Sequence, residues 1–237
     1  MTVARAYDAI AREYDAHLAG DPVAGYMRMR LHEHLARLFH PGDHVLDLSA
    51  GTGADACYLA ELGVQVTALD ASPGMMAELK RTATRRGLLI VAHVLPAERL
   101  DELDVHDLDG VLSTFAGLNT MDDLPRLAQN LAERLKPHGR VLLHALNARF
   151  PHNTIYRVSI GGQIVPHRMH NPFTLWRAAF ADHFDIRRVY ALSVVTGLTL
   201  AKRFPFAMRP LFALDRIMGC VFPAAGDFFV MELEKRG

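Results

Sequence analysis

The chain has 237 residues, half of them hydrophobic and 22% charged, which suits one substantial core with insertions rather than two domains. Lys plus Arg (26) equals Asp plus Glu (26), so no net field draws a polyanion, and nucleic acid is disfavoured as the main partner. Cys57 and Cys220 are the only cysteines, too few for a disulfide framework and without metal-ligand spacing. They read as small buried hydrophobes of a reducing compartment, and no metal is expected.

Acids at Asp8, Glu13 and Asp15, with no apolar run beside them, argue against a signal peptide. No stretch of about 18 apolar residues predicts a spanning helix, so the expected location is the cytoplasm. Val3, Tyr7, Ile10, Tyr14 and Leu18 recur at helical steps and predict one helix over residues 3–19. Asp21-Pro22 breaks it, and a second amphipathic helix runs from Val23 to Phe39, ending at His40-Pro41-Gly42. Residues 1–40 thus form an N-terminal helical cap.

From residue 41 to 147 strands and helices alternate. Val45–Leu48 is a strand closed by a glycine-rich turn, Ala54–Leu62 a helix stopped by Gly63, and residues 64–69 a β-branched strand ending at Asp70. Pro73 opens a helix that Gly87 closes, the usual asymmetry of helix ends. Strands follow at Leu88–Val94 and Asp109–Ser113, then a helix over Leu124–Leu135 stopped by Pro137 and Gly139, then a strand over Arg140–Leu146. This spacing implies βαβ crossovers, a doubly wound α/β fold and a mostly parallel sheet.

The last third is less regular. Residues 148–170 carry Gly161-Gly162 between two β-like runs, a hairpin insertion. Asn171-Pro172 starts a helix through Phe180 with Trp176 and Phe180 on one face, and strands follow at Phe184–Leu192 and Asp227–Leu233. Between these strands, residues 194–225 form an insertion rich in Phe and Met and punctuated by Pro205, Pro210 and Pro223. Its preferred reading is an apolar lid over an active-site mouth. The other is membrane-surface contact, with Lys202, Arg203 and Arg209 beside the apolar residues.

The chemistry concentrates at residues 45–53, VLDLSAGTG. Gly51 and Gly53 lack a Cβ, so the backbone can bend sharply and let a ligand approach at the carboxyl end of a parallel strand. Asp70 ends the next strand, where a carboxylate can accept hydrogen bonds from vicinal ribose hydroxyls; the alternative is a cap on the helix near Pro73. Gly51-x-Gly53-x-x-Ala56 also matches the dinucleotide fingerprint. On the turn alone, two cofactor classes remain open.

The wider text resembles the class I S-adenosylmethionine-dependent methyltransferases of the small-molecule type. Asp47 is the acid of the first motif, and Ser49, Gly51 and Gly53 fill its three small positions, with Ser49 departing from glycine. Asp70-Ala71-Ser72-Pro73-Gly74-Met75-Met76 is similar to the family's second-strand ending, and LKPHG at 135–139 to the turn before its fifth strand. The resemblance covers roughly residues 5–192 and the final strand.

It implies a seven-stranded sheet and S-adenosylmethionine as cofactor, leaving as S-adenosylhomocysteine. Gly51 and Gly53 would lie against the methionine portion with Asp47 near its ammonium group. Asp70 would hold the ribose hydroxyls, Met75 would pack on the adenine, Ala71 would be among the cofactor-binding residues, and Ala97 and Glu98 would meet the adenine edge, with Pro96 where the family often has an acid. Ser113 and Thr114 would flank the sulfonium. Tyr14 and Asp15 resemble a "YD" pair whose tyrosine covers the cofactor; Tyr14 also reads as an ordinary face residue.

In-line displacement at an activated methyl requires positioning first and a general base only for a weakly acidic nucleophile. Candidates are His144, Asn147 and Tyr156, with Asn119, His152, His167 and His170 behind them. Ser113-Thr114-Phe115-Ala116-Gly117 lacks the Asp/Asn-Pro-Pro-Tyr/Phe signature of enzymes that methylate DNA bases or glutamine. The expected activity is methyl transfer to a small, partly apolar molecule. A nicotinamide-dependent oxidoreductase and a non-catalytic cofactor-binding module are the alternatives.

Overall fold

A computed structural model describes residues 3–148, 155–196 and 208–237. The chain opens with α1 (Val3–Ile10), α2 (Tyr14–Ala19) and α3 (Pro22–Leu38). The single helix expected over residues 3–19 is therefore two. The break has a tertiary cause: α1 docks on the start of a later helix, whereas α2 packs on α3. Asp21 caps α3 by accepting from the backbone N–H groups of Val23 and Ala24, with Pro22 in the first turn.

Strands β1 (His44–Leu48), β2 (Gln65–Asp70), β3 (Ile90–Val94), β4 (Leu108–Ser113) and β5 (Leu135–Leu146) are parallel neighbours. Helices α4 (Ala54–Glu61), α5 (Pro73–Arg86) and α6 (Leu124–Arg134) make crossovers between them. With β8 (Phe184–Leu192) and β9 (Phe228–Lys235), the sheet has seven strands in the order β3-β2-β1-β4-β5-β9-β8, β9 running antiparallel to both neighbours. Alternate residues of a strand feed opposite cores. Leu46, Leu48 and Val111 join Leu127, Leu131 and Phe184 on one face. Val45, Val66 and Leu112 join Leu31, Leu35, Leu59 and Leu79 on the other.

Several boundaries differ from expectation. Leu88 is not in β3, because its N–H closes α5 on the Ala83 carbonyl beyond a left-handed Gly87. β5 begins early, at Leu135, where that residue pairs with Leu108. The helix expected through Phe180 is a short α7 (Pro172–Leu175) widening into a π turn over Trp176–Phe180. Trp176 still anchors it by donating from Nε1 to the Phe184 carbonyl at 2.9 Å.

The hairpin is β6 (Ile155–Ile160) and β7 (Gln163–Arg168), joined by Gly161 and Gly162 at φ of +56° and +75°. Two consecutive positive φ values suit a tight two-residue connection. The described part of the apolar insertion departs from expectation. It includes α8 (Met208–Val221), which lies along β8 so closely that a Cβ on Gly219 would meet the Ala191 carbonyl oxygen at 2.1 Å. Phe212 stacks on Tyr26 of α3 with centroids 4.2 Å apart. The buried Asp215 accepts from the backbone N–H groups of Ser193, Val194 and Val195. No described residue of α8 lines the large cavity, so this helix is no lid. The insertion residues 197–207, including Lys202, Arg203 and Pro205, lie outside the described residues. Cys220, expected buried, is exposed on α8, whereas Cys57 is buried as expected.

Candidate active site

Parallel strands end together, and the chain leaving β1, β2 and β4 opens a cavity of about 940 Å³ between those ends, α1, α2 and the β6–β7 hairpin. That is roomy enough for a cofactor with a second small molecule. The floor is the turn after β1. Ser49 (φ +57°), Gly51 (+57°) and Gly53 (+80°) all have positive φ, which is why small residues occupy it. A Cβ on Gly51 would meet nothing within 4 Å, since that position faces open space; one on Gly53 would strike Leu79 at 2.4 Å. Gly51 thus leaves room beside the backbone, and Gly53 lets α5 close under the turn.

Asp70 ties the turn to β2. One carboxylate oxygen accepts from the Gly51 N–H at 3.0 Å and the other from the Ser72 N–H at 2.8 Å. Each oxygen keeps a lone pair for a further donor. Burial raises the Asp70 pKa, partly offset by these two N–H groups. Ser72, not Asp70, caps α5 through the Met75 N–H, so the capping alternative for Asp70 does not hold.

Behind the turn, Asp47 is 1% exposed and neither of its oxygens has a hydrogen-bond partner. Burial pushes its carboxyl well above the usual range, and Asp55 and Asp70 add repulsion. Asp55 has the opposite fate. It accepts from Arg28 at 2.9 Å and from Thr114 at 2.6 Å, and pairs with His32 at 2.8 Å. Burial alone would raise it, but these partners outweigh burial and hold it at about 2.

The Arg28 guanidinium sits over the Phe115 ring, 4.1 Å from its centroid. Phe115 and Ala116 are both left-handed (φ +48° and +67°). His144 holds that turn, its Nδ1 accepting from the Phe115 N–H at 3.1 Å and its carbonyl from the Ala116 N–H at 3.3 Å. Burial depresses the His144 pKa to about 3, so the ring is neutral with its proton on Nε2.

Of the residues predicted to hold cofactor, Tyr14, Ser49, Gly51, Asp70, Ala71, Met75, Ala97, Glu98 and Thr114 line this one cavity. Asp47, Gly53 and Ser113 stand behind its wall rather than in it. Tyr14 packs edge-on against Tyr7, centroids 6.2 Å apart, and burial lifts its phenol to about 12. Asp15 beside it accepts from the Thr52 hydroxyl at 2.6 Å, fastening α2 to the glycine turn.

The base candidates fare differently. None of His144, Asn147 and Tyr156 lines the cavity. His144 is a prop behind Phe115. Asn147 spends its amide N–H groups on the Ala224 and Gly226 carbonyls. Tyr156 is 53% exposed on the hairpin. Asn119 links the Leu146 backbone to the Arg168 carbonyl, His167 pairs with the Val165 carbonyl, and burial lowers His170 to about 4. His152 lies outside the described residues. Sequence reasoning missed Arg28, Asp55, Tyr7, Phe115 and the hairpin wall Gln163–Pro166, all lining the cavity. The spacing of Arg28 and His32, one helical turn apart, was the one local clue to the pair that meets Asp55.

Comparison with known proteins gives likenesses in sequence and in fold. Residues 45–139 match the family model of the methyltransferase domain. Over 143 residues, 60% of this chain, it is 37% identical to the demethylmenaquinone methyltransferase of Beutenbergia cavernae. Over 136 residues, 57% of the chain, it is 29% identical to the ubiquinone biosynthesis O-methyltransferase of Xanthomonas axonopodis pv. citri. In both cases the match spans 56% of the relative, just over half its length. Among solved structures, the CcbJ methyltransferase from Streptomyces caelestis superposes with a TM-score of 0.69 at 21% identity, over 98% of each chain. The 4+2 cyclase SpnF gives 0.71 at 19%, over 99% of this chain and 95% of its own. Residues 45–139 thus resemble a methyltransferase domain, and the fold of the chain is the one these methyltransferase structures share.

Proposed function

We propose that the protein transfers a methyl group from S-adenosylmethionine to a small, partly apolar acceptor in this cavity. The observation that carries the reading is the charge at the floor. Asp47, Asp55 and Asp70 gather around one glycine turn, and Arg28 and His32 are both engaged with Asp55. A site with orphaned carboxylate oxygens favours a cation, and the cofactor carries an ammonium and a sulfonium. A dinucleotide would bring a pyrophosphate to the same turn, against two carboxylates. The oxidoreductase alternative has nothing comparable in its favour.

On this reading Asp70 accepts from the ribose, Met75 with Ala97 and Glu98 bounds the adenine, and Asp47 attracts the ammonium through the turn. When bound, the cofactor supplies an already activated methyl, and the protein's task is to hold a nucleophile in line with it, excluding water. Tyr7, Tyr14 and the hairpin cover the site. The wall facing the turn is Phe115, Met121, Ile164, Val165 and Pro166, with Thr120 and Gln163 as its polar points. Such a wall suits an aromatic acceptor, and the names of the two relatives point to quinone-type rings.

The test uses methyl-labelled cofactor and a panel of hydroquinones, phenols and aryl amines. Label should move to at least one acceptor with S-adenosylhomocysteine formed. Asp70→Ala should weaken cofactor binding about tenfold to a hundredfold, since hydrogen bonds to a charged group contribute roughly 1.5–3 kcal/mol. Intact cofactor binding with no transfer across the panel would leave a binding module instead.

A further inference from the structure

Arg28 of α3 is the one basic side chain lining the cavity among the described residues, whereas Asp55, Asp70, Glu98 and Asp122 line it as acids. Its pairing with Asp55 uses a single nitrogen, Nη1 donating to Oδ1 at 2.9 Å. A guanidinium carries five N–H groups in one plane, and Nε and Nη2 bond to no described residue. Those two nitrogens form an edge that can grip a carboxylate through two parallel hydrogen bonds. The Arg28 side chain is 24% exposed against 4% for Asp55, so the pair is closed at its acidic end and open at its basic one. The surroundings hold that open edge still. Phe115 covers one face of the guanidinium, 4.1 Å from the ring centroid. Asp55 is fixed in turn by the Thr114 hydroxyl and by His32, and His32 lies flat on Tyr58 with centroids 3.8 Å apart. Burial opposes the Asp55 charge, yet its partners hold the pKa at about 2, so the clamp stays charged at neutral pH. An arginine held at one nitrogen and one face has little freedom left to lose when a ligand takes its other edge.

We infer that Arg28 is the oxyanion seat of the cavity, taking one carboxylate or similarly ionised oxygen of a bound small molecule on its Nε–Nη2 edge. The seat lies beside Phe115, just beyond β4, and β1 separates β4 from β2, where Asp70 stands. Acids on one side and an unspent guanidinium edge on the other suit a ligand, or a pair of ligands, bearing both signs of charge. Two sources can supply the oxygen. One is the amino-acid end of an S-adenosyl cofactor, and the other is an acidic acceptor such as a phenolate or an enolate. Naming these sources rests on the proposed function, but the seat itself does not.

The experiment compares matched ligands by calorimetry on the full chain, Arg28→Gln and Arg28→Lys. The cofactor pair is S-adenosylhomocysteine and its decarboxylated analogue, which keeps the ammonium. The acceptor pair is the lawsone anion and lawsone methyl ether, each added to the empty chain and to the chain loaded with S-adenosylhomocysteine. In at least one pair the wild type should favour the oxyanion by about tenfold to a hundredfold. Arg28→Gln should erase that preference, and Arg28→Lys should keep only part of it, having the charge without the fork. The preference is the decisive readout, because loss of a merely structural arginine weakens both members of a pair alike. A preference in the first pair gives the seat to the cofactor, and one in the second gives it to the acceptor. No preference in either pair, or one that a folded Arg28→Gln retains, overturns the inference. Should Arg28→Gln not fold, Arg28→Lys decides: an undiminished preference overturns the inference and a reduced one upholds it. Failure of both adenosyl ligands to bind the wild type counts against the proposed cofactor instead, and the lawsone pair on the empty chain then decides the seat.

Discussion

Asp47 sits in the interior with no donor for either oxygen, and burial raises its pKa. The unfolded chain ionises this aspartate at its ordinary value near 3.8, whereas the folded chain resists ionisation until higher pH. Stability from this group is thus complete below the unfolded value and is lost as pH rises through the folded one. Asp47→Asn should melt at higher temperature than the wild type at neutral pH and lose that advantage below about pH 3.8. The same variant should bind S-adenosylhomocysteine several-fold more weakly, because the attraction for the ammonium is gone. Melting curves across pH with a binding isotherm at pH 7 check both. An equal or lower melting temperature at neutral pH would mean that Asp47 has a partner that stabilises its charge. Asp47 and Asp70 were legible because strand ends and small-residue turns are local patterns. The Arg28–Asp55–Thr114 cluster was not, since its members are 27 and 59 residues apart and meet only once α3 and α4 have packed. His144 was legible as a residue near the site and wrong in role: only the backbone of Phe115 shows that its nitrogen is already engaged.

At the scale of elements, α1 closes the cavity and is held from two sides. The Asp8 carboxylate accepts from the Ser72 hydroxyl at 2.5 Å and from the Gly74 N–H at 2.7 Å, pinning α1 to the start of α5. On the far side the hairpin turn comes so near that a Cβ on Gly161 would lie 2.9 Å from the Ala6 carbonyl oxygen. Asp8→Ala removes two hydrogen bonds, together roughly 2–3 kcal/mol of local stability. Amide exchange over residues 3–10 should rise while the strands keep their protection, and cofactor affinity should fall several-fold. Unchanged exchange in α1 would show that hairpin contacts alone hold it. The alternating elements between residues 41 and 147 were readable because their hydrophobic periods change from two to 3.6 at glycines and prolines. The break between α1 and α2, the π turn at Trp176–Phe180 and the placement of α8 were not readable. An apolar helix announces that it must contact something, not what, and the lid assignment chose the cavity where the fold used β8 and α3.

Across the whole molecule, balanced charge conceals a local imbalance, the acids around the glycine turn, which on the proposed reading sets the ligand that the cavity takes. Fold alone does not decide the reaction, since closely similar architecture serves both a methyltransferase and a cyclase among the structural neighbours. On the proposed reading the cavity floor is a seat for a cationic nucleoside. Calorimetric titration of the full chain with S-adenosylmethionine, S-adenosylhomocysteine and NADH tests this most directly. The two adenosyl ligands should each bind at one site per chain, the bond to either weakened by Asp70→Ala, with no heat from NADH. Binding of NADH in place of them, or adenosyl binding indifferent to Asp70→Ala, would contradict it.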